Sequence, residues 1–346
     1  MGDPCMEILI ATDAWHPQVN GVVRTLSTTL DQLGAMGWKA RVIHPGMFSH
    51  FTYPFYADIK LAFATRKRMD AIVGRQPPGF VHIATEGPVG WAMRSLCIQK
   101  GWAFSTAFHT NFPEYLAKFP GVPRSWTWNI LRRFHSASSR TMVATHSIRQ
   151  QLIAEGFDPN RLVFWGRGVD TQLFQPKPKS SRTKPIAIYV GRVSAEKSIE
   201  DFLGVDRPVQ KWVVGDGPDR IRLQRKYPGA RWFGWQKGEN LAKLYADADV
   251  FVFPSRTDTF GLVMIEAMAC GLPVAAYPVP GPVDIVIPGT GALGHDLGSA
   301  MDEALTCEPG YCREYAETHS WEKCTRQFLR NLVVATEQVK TETLVA

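Results

Sequence analysis

Residues 249–271 read DVFVFPSRTDTFGLVMIEAMACG. Val250 to Phe253 form an unbroken apolar run of strand length, which predicts a strand covered on both faces, as strands of parallel sheets are. The stretch from Phe260 onward is long and apolar enough for a helix, and Gly271 followed by Pro273 supplies its stop. Strand, loop and helix in that order make one winding of a parallel α/β sheet. The pattern recurs upstream, where IAIYVG (186–191), QKWVVGDG (210–217) and ARWFGW (230–235) read as strands and NLAKLYADA (240–248) as a helix.

The same rhythm fills the first half. MEILIATD (6–13) reads as a strand, and VVRTLSTTLDQLGAMG (22–37) as a helix ending on Gly37. KARVIHPG, FVHIATE, AFSTAFHT and TMVATHS are strand-like, and PVGWAMRSLCIQKG (88–101) is helical. Between the halves lies QPKPKSSRTKP (175–185), rich in Pro, Lys and Ser and without apolar periodicity, which predicts a domain boundary. A chain of 346 residues also exceeds the roughly 250–300 at which a single core stops growing. Two doubly wound domains in tandem imply a cleft, with ligands beyond the carboxyl ends of the strands.

Composition narrows the class. With 45% apolar and 21% charged residues the chain is not intrinsically disordered, and it holds no apolar stretch of membrane-spanning length. The six cysteines are scattered without a C-x-x-C pair and no signal peptide precedes them, which predicts free thiols and a cytoplasmic location. Met6 offers a second start in the same frame. Residues 1–172 hold 18 Lys+Arg against 11 Asp+Glu, and residues 173–346 hold 21 against 21, so the net +7 lies in the first half. That basic excess suits an anionic partner or a solvated face; with no zinc-finger or RNP-like motif, a nucleic acid is not the expected one.

Two nucleotide-binding patterns fail on inspection. GTGALG (289–294) matches G-x-G-x-x-G, but Pro288 precedes it and no acidic residue stands where a ribose would need one, so a Gly-rich turn is predicted. GRVSAEKS (191–198) carries Glu196 where a phosphate-binding loop needs its second glycine. What remains there is Arg192 and Lys197 after a strand end, either a clamp for a diphosphate or a solvated basic turn. Downstream, Gly261 lets a phosphate approach a helix N-terminus, and Glu266, set in an otherwise apolar helix, is placed to accept ribose hydroxyls.

These motifs, taken in order, resemble family 4 retaining glycosyltransferases of the GT-B fold, over nearly the whole chain. The matching segments are PQVNGVVR, AFHTNF, GRGVD, VGRVSAEKS, VVGDGP and SRTDTFGLVMIEAMACGLPVAA. The last resembles the family's E-x7-E signature with Asp258 in the first position and Glu266 in the second. The resemblance implies two Rossmann-like domains, 1–175 for the acceptor and 176–320 for a nucleoside-diphosphate sugar, with residues 321–346 a helix returning to the first. It implies that Arg192 and Lys197 hold the diphosphate and Glu266 the ribose. Asp258, Thr259, Phe260 and Gly261 would meet the transferred sugar and distal phosphate, with Gly191 and Gly215 lining the site and Asn20 and Gly21 approaching the sugar phosphate.

His109 matches the family's sugar-contacting histidine, and with Arg192, Lys197 and Asp258 it forms the implied catalytic set. The cations replace a metal ion, so neither a metal nor another cofactor is expected. Asp13, Glu86 and His109 are the acceptor-side candidates, and Asp13, Glu86 and Glu114 are the first-domain candidates for a carboxylate near the anomeric carbon. Arg167 stands where relatives carry Asn and either meets the donor or braces the turn. Trp126, Trp128, Arg132 and Arg133, within EYLAKFPGVPRSWTWNILRRFH (114–135), form either a contact with an anionic inner leaflet or a helix using its tryptophans as core. The implied reaction moves mannose from GDP-mannose, or glucose or glucuronate from a UDP-sugar, to a lipid such as diacylglycerol. A polysaccharide or small-glycoside transferase, a nucleotide-sugar epimerase and a non-catalytic nucleotide-sugar-binding protein are the alternatives.

Overall fold

The computed structural model describes residues 7–18, 20–53, 56–111, 123–178 and 182–336, the side chains of residues 52–60 excepted. Glu114 and Lys118 lie outside the described residues. The chain forms two compact units, residues 1–166 together with 322–346, and residues 167–321. The passage at Gly166 and Arg167 comes earlier than the Pro- and Lys-rich stretch at 175–185. Hydrogen bonds explain why. The Val169 amide donates to the His319 carbonyl (2.9 Å), and the Arg313 guanidinium donates to the carbonyls of Phe174 (2.6 Å) and Thr171 (3.0 Å), so these residues are fastened within the second unit.

The first unit contains β1 (Glu7–Ala11), β2 (Lys39–Ile43), β3 (His50–Tyr53), β4 (Tyr56–Ala62), β5 (Phe80–Ile83), β6 (Ser105–Phe108), β7 (Arg140–Val143) and β8 (Leu162–Phe164). Six of them form a parallel sheet in the order β2-β1-β5-β6-β7-β8, and β3 and β4 form a separate antiparallel hairpin. The strand order reverses at β1. Ile8 to Ile10 and all of β5 and β6 are buried, the pattern of strands with helices on both faces. The helix Gly21–Ala35 buries Val23, Leu26 and Leu33, at the spacing of one helical face, and Asn20 caps it by accepting from the amides of Val22 and Val23.

The helix Trp321–Asn331 completes this unit. Its Phe328 ring lies 5.0 Å from His82 and 4.7 Å from Trp165, and its Gln327 side chain accepts from the Gly166 amide at 2.8 Å. Beyond it, the Ala335 amide donates to the Gly79 carbonyl.

Trp128 is a core residue and not a membrane contact. It is 1% exposed in the helix Arg124–His135 and stacks on Phe108, because the apolar positions Trp128, Leu131 and Phe134 share the inward face. Trp126, two residues earlier, falls on the opposite side and is 59% exposed. Arg132 bonds to the Glu155 carbonyl and the Asn129 side chain, and Arg133 is exposed.

The second unit holds β9 (Ile186–Val190), β10 (Gln210–Val214), β11 (Arg231–Gly234), β12 (Val250–Phe253), β13 (Val274–Ala276) and β14 (Gly291–Leu293), all parallel, in the order β11-β10-β9-β12-β13-β14. The reversal falls at β9. GTGALG is a turn only at its start: Gly291 to Leu293 form the edge strand β14, recruited by pairing with β13. Among the described residues no helix is long and apolar enough to cross a membrane.

Candidate functional site

In an open α/β sheet the crevice for a ligand opens beyond the carboxyl ends of the strands where their order reverses. In the second unit that place is occupied by the segments after β9 and β12, which carry the motifs VGRVSAEKS and SRTDTFG. An ion pair joins the two motifs. Lys197 Nζ lies 2.6 and 2.7 Å from the two carboxylate oxygens of Asp258, and both side chains are about a quarter exposed. Burial works to raise the Asp258 carboxyl, and Lys197 overrides it by charge and hydrogen bond, so the group sits below its usual value.

Lys197 closes a short 3-10 turn, Ala195–Lys197, that precedes the helix Ile199–Leu203, so the two elements are not one helix. Arg192 is exposed beside it, and its carbonyl accepts from the buried Tyr189 hydroxyl at 2.7 Å. Burial, then the charges of Asp258 and Glu196, push the Tyr189 phenol well up, and it stays a neutral donor. Sequence reading missed Tyr189 because, inside IAIYVG, it is indistinguishable from core.

Two glycines make room at this edge. A Cβ on Gly215, at φ +137°, would stand 1.8 Å from the Gly191 carbonyl oxygen, so the loops after β9 and β10 approach each other backbone to backbone. Gly261, at φ +87°, begins the helix Leu262–Ala269, and a Cβ there would meet Met264 at 2.7 Å and Phe253 at 3.0 Å. The amides at this N-terminus are a natural site for a phosphate. Thr259 is half-buried and Phe260 is buried against the unit. Glu266 lies within the same helix, 2% exposed, with the Tyr245 hydroxyl 3.4 Å from its Oε2.

In the first unit the reversal at β1 gathers the segments after β1, β5 and β6, which carry Asp13, Glu86 and His109. Asp13 is turned to a local task. Its carboxylate accepts from the amides of Val89 (2.8 Å) and Gly90 (3.2 Å) and from the Thr85 hydroxyl (2.9 Å), and so caps the helix Pro88–Lys100, whose own N-cap Gly87 has no side chain to do it. Burial raises its carboxyl above the ordinary value, against the bonds from Val89, Thr85 and Gly90.

Glu86 pairs with a residue that sequence reading did not single out: its Oε1 is 3.2 Å from His135 Nε2, with side chains 5% and 1% exposed. His135 ends an amphipathic helix and carried no motif of its own. His109 is 8% exposed and stands edge-on to Trp165, with ring centroids 5.5 Å apart. Asn20 caps its helix through Oδ1, and its amide donates to Gln18 Oε1 at 3.2 Å. Gly21 is the first residue of that helix, and Arg167 is buried at the start of the second unit.

Known proteins share both units. A profile described as Glycosyltransferase Family 4 matches residues 19–173, and one described as Glycosyl transferases group 1 matches residues 184–308. The chain is 31% identical over 315 residues to a GDP-mannose-dependent alpha-mannosyltransferase of Mycobacterium tuberculosis, covering 82% of each. It is 32% identical over 256 residues to a sulfoquinovosyl transferase of Arabidopsis thaliana, covering 68% of this chain and 50% of that one. Among solved structures it is similar to sucrose-phosphate synthase from Thermosynechococcus elongatus, with a TM-score of 0.79 at 21% identity over 94% of this chain and 98% of the other. It is also similar to HepE of Anabaena in complex with UDP-glucose, with a TM-score of 0.67 at 14% identity over 94% and 98%.

Two parallel α/β units with these neighbours define the GT-B fold. The chain belongs to the group 1, family 4 glycosyltransferases, and its class of activity is hexosyl transfer.

Proposed function

We propose that the chain is a retaining hexosyltransferase that takes a nucleoside-diphosphate hexose on its second unit and passes the hexose to an acceptor bound by the first. GDP-mannose is the leading donor, supported by the mannosyltransferase relatives at about 30% identity. The observation that carries the donor reading is the Lys197–Asp258 pair beside the glycine-framed N-terminus of the helix Leu262–Ala269. A diphosphate entering there shares Lys197 with Asp258 and meets Arg192 and the helix amides. As the bond from sugar to phosphate oxygen breaks, negative charge develops on the diphosphate, and these cations and amides stabilise it. The acceptor oxygen forms the new bond on the face the diphosphate leaves, and the acceptor's proton departs with the diphosphate. Glu266 accepts from the ribose hydroxyls, and no resident metal ion takes part.

On the acceptor side the Asp13 carboxylate is occupied by its helix, so Glu86 and His109 carry the contact with the acceptor. A lipid such as diacylglycerol is the leading acceptor, met at an anionic membrane face. Exposed apolar groups on the first unit support this: Trp126, and the Phe51 and Phe63 rings 5.6 Å apart, with the exposed run Arg66, Lys67 and Arg68 following.

The test is a panel of nucleotide sugars assayed for hydrolysis and for transfer to a lipid extract. Turnover of GDP-mannose that is lost in both Lys197→Ala and Glu266→Ala proteins supports the reading. Turnover of no nucleotide sugar refutes it.

A further inference from the structure

We propose that His135 is a positioning residue for Glu86, holding that carboxylate so that its second oxygen receives the hydroxyl of the incoming acceptor. The inference rests on the acceptor-side reading of Glu86.

His135 is gripped at both ring nitrogens. Nδ1 is 2.9 Å from the Thr106 hydroxyl on β6, and Nε2 is 3.2 Å from Glu86 Oε1. Thr106 is itself fixed by the hydroxyls of Thr141 (2.9 Å) and Ser138 (3.2 Å), and Ser138 donates back to the His135 carbonyl at 2.8 Å. The rings of Phe134 and Phe157 close around the imidazole, with centroids 5.0 and 5.7 Å away. A ring held this way cannot turn without breaking a buried hydrogen bond.

Glu86 needs such a partner. Its side chain is 5% exposed, and a buried carboxylate is costly unless a donor meets it. The charged groups around the pair are few. Asp13, after the neighbouring strand β1, interacts with Glu86 as a like charge, and Arg94 donates to the carbonyls of Phe134 (2.9 Å) and Arg133 (2.7 Å) at the end of the helix that carries His135. The imidazole is the group that donates directly to Glu86. Among the described residues nothing donates to the other oxygen, Oε2, which leaves it with lone pairs for a hydroxyl. The arrangement is that of a reactive group aimed by a second side chain that a third holds in place.

The experiment uses the full chain, GDP-mannose and diacylglycerol in mixed micelles. His135→Phe keeps a ring and loses the donor; His135→Gln keeps a donor. His135→Phe is expected to raise the diacylglycerol KM about tenfold with the GDP-mannose KM unchanged, and His135→Gln to recover part of the loss. In a Glu86→Gln background His135→Phe is expected to add nothing further. Nitrogen-15 spectra of the uncomplexed protein report separately on the pair: the His135 Nε2 proton signal should shift in Glu86→Gln.

If Glu86→Gln raises the acceptor KM and His135→Phe does not, or if the two effects multiply, the positioning role is refuted and the acceptor site stands. A His135 signal indifferent to Glu86→Gln refutes the role as well. If neither substitution moves the acceptor KM, the acceptor reading of Glu86 fails and takes the positioning role with it. Should His135→Phe unfold, as thermal denaturation would show, His135→Gln carries the comparison alone.

Discussion

Both carboxylate oxygens of Asp258 lie within hydrogen-bond distance of the Lys197 ammonium, at 2.6 and 2.7 Å. The pair joins the loop after β9 to the loop after β12, so the cation is already aimed before any donor arrives. An anion that enters gains a side chain whose freedom has been spent in folding.

Removal of that cation should fall on the chemical step. Lys197→Ala is expected to lower kcat by about a hundredfold or more, the usual effect of deleting a group that meets charge developing in the transition state. Arg192→Ala, removing an exposed cation, should cost less. Steady-state kinetics in buffer with a chelator should match those without it; loss of turnover on chelation would overturn the metal-free scheme.

Acid should find the same pair. The Asp258 carboxyl is lower in the folded protein than in the unfolded chain, so its contribution to stability is complete above the ordinary carboxylate value near 3.8 and disappears as pH falls through the depressed folded value. Denaturant melts of the wild type and of Asp258→Asn should therefore differ at pH 6 and converge in strong acid. A difference that persists at low pH would show that the lost stability does not come from the ionised Asp258 carboxylate.

Gly215→Ala should unfold the nucleotide side before it alters any chemistry. A methyl at that position would sit 1.8 Å from the Gly191 oxygen, so one of two packed loops must move. A loss of about 2 kcal/mol or more is expected from urea melts, with nucleotide affinity falling in parallel.

The two tryptophans of the helix Arg124–His135 should separate cleanly. Trp128→Ala removes a buried indole and is expected to cost about 3–5 kcal/mol in thermal or urea unfolding. Trp126→Ala should leave stability within about 0.5 kcal/mol and weaken flotation with anionic vesicles at low salt. Equal losses of stability would contradict the helix orientation.

The sheets were readable in the chain because their central strands are continuous apolar runs between glycine and proline stops, as in IAIYVG and DVFVFPS. The edge strand β14 was not, since three residues within a glycine-rich turn become a strand only when β13 is there to pair with them. The candidate donor-side residues stand out in the sequence because charge within an apolar run, as at Glu266, is conspicuous. Asp13 announced itself too, but its task depends on a helix 75 residues further on whose N-cap lacks a side chain, a tertiary fact. Trp126 and Trp128 differ only in which way a helix is turned, and His135 only in what lies opposite it. Local pattern carries none of that information.

The first unit borrows its last helix and the strand-like residues around Ala335 from the far end of the chain. The first unit therefore cannot cover His82 and Trp165 until the whole of the second, which precedes Phe328 in the chain, has been synthesised. Nascent chains halted before that helix should expose an unfinished surface on the first unit for chaperones to hold.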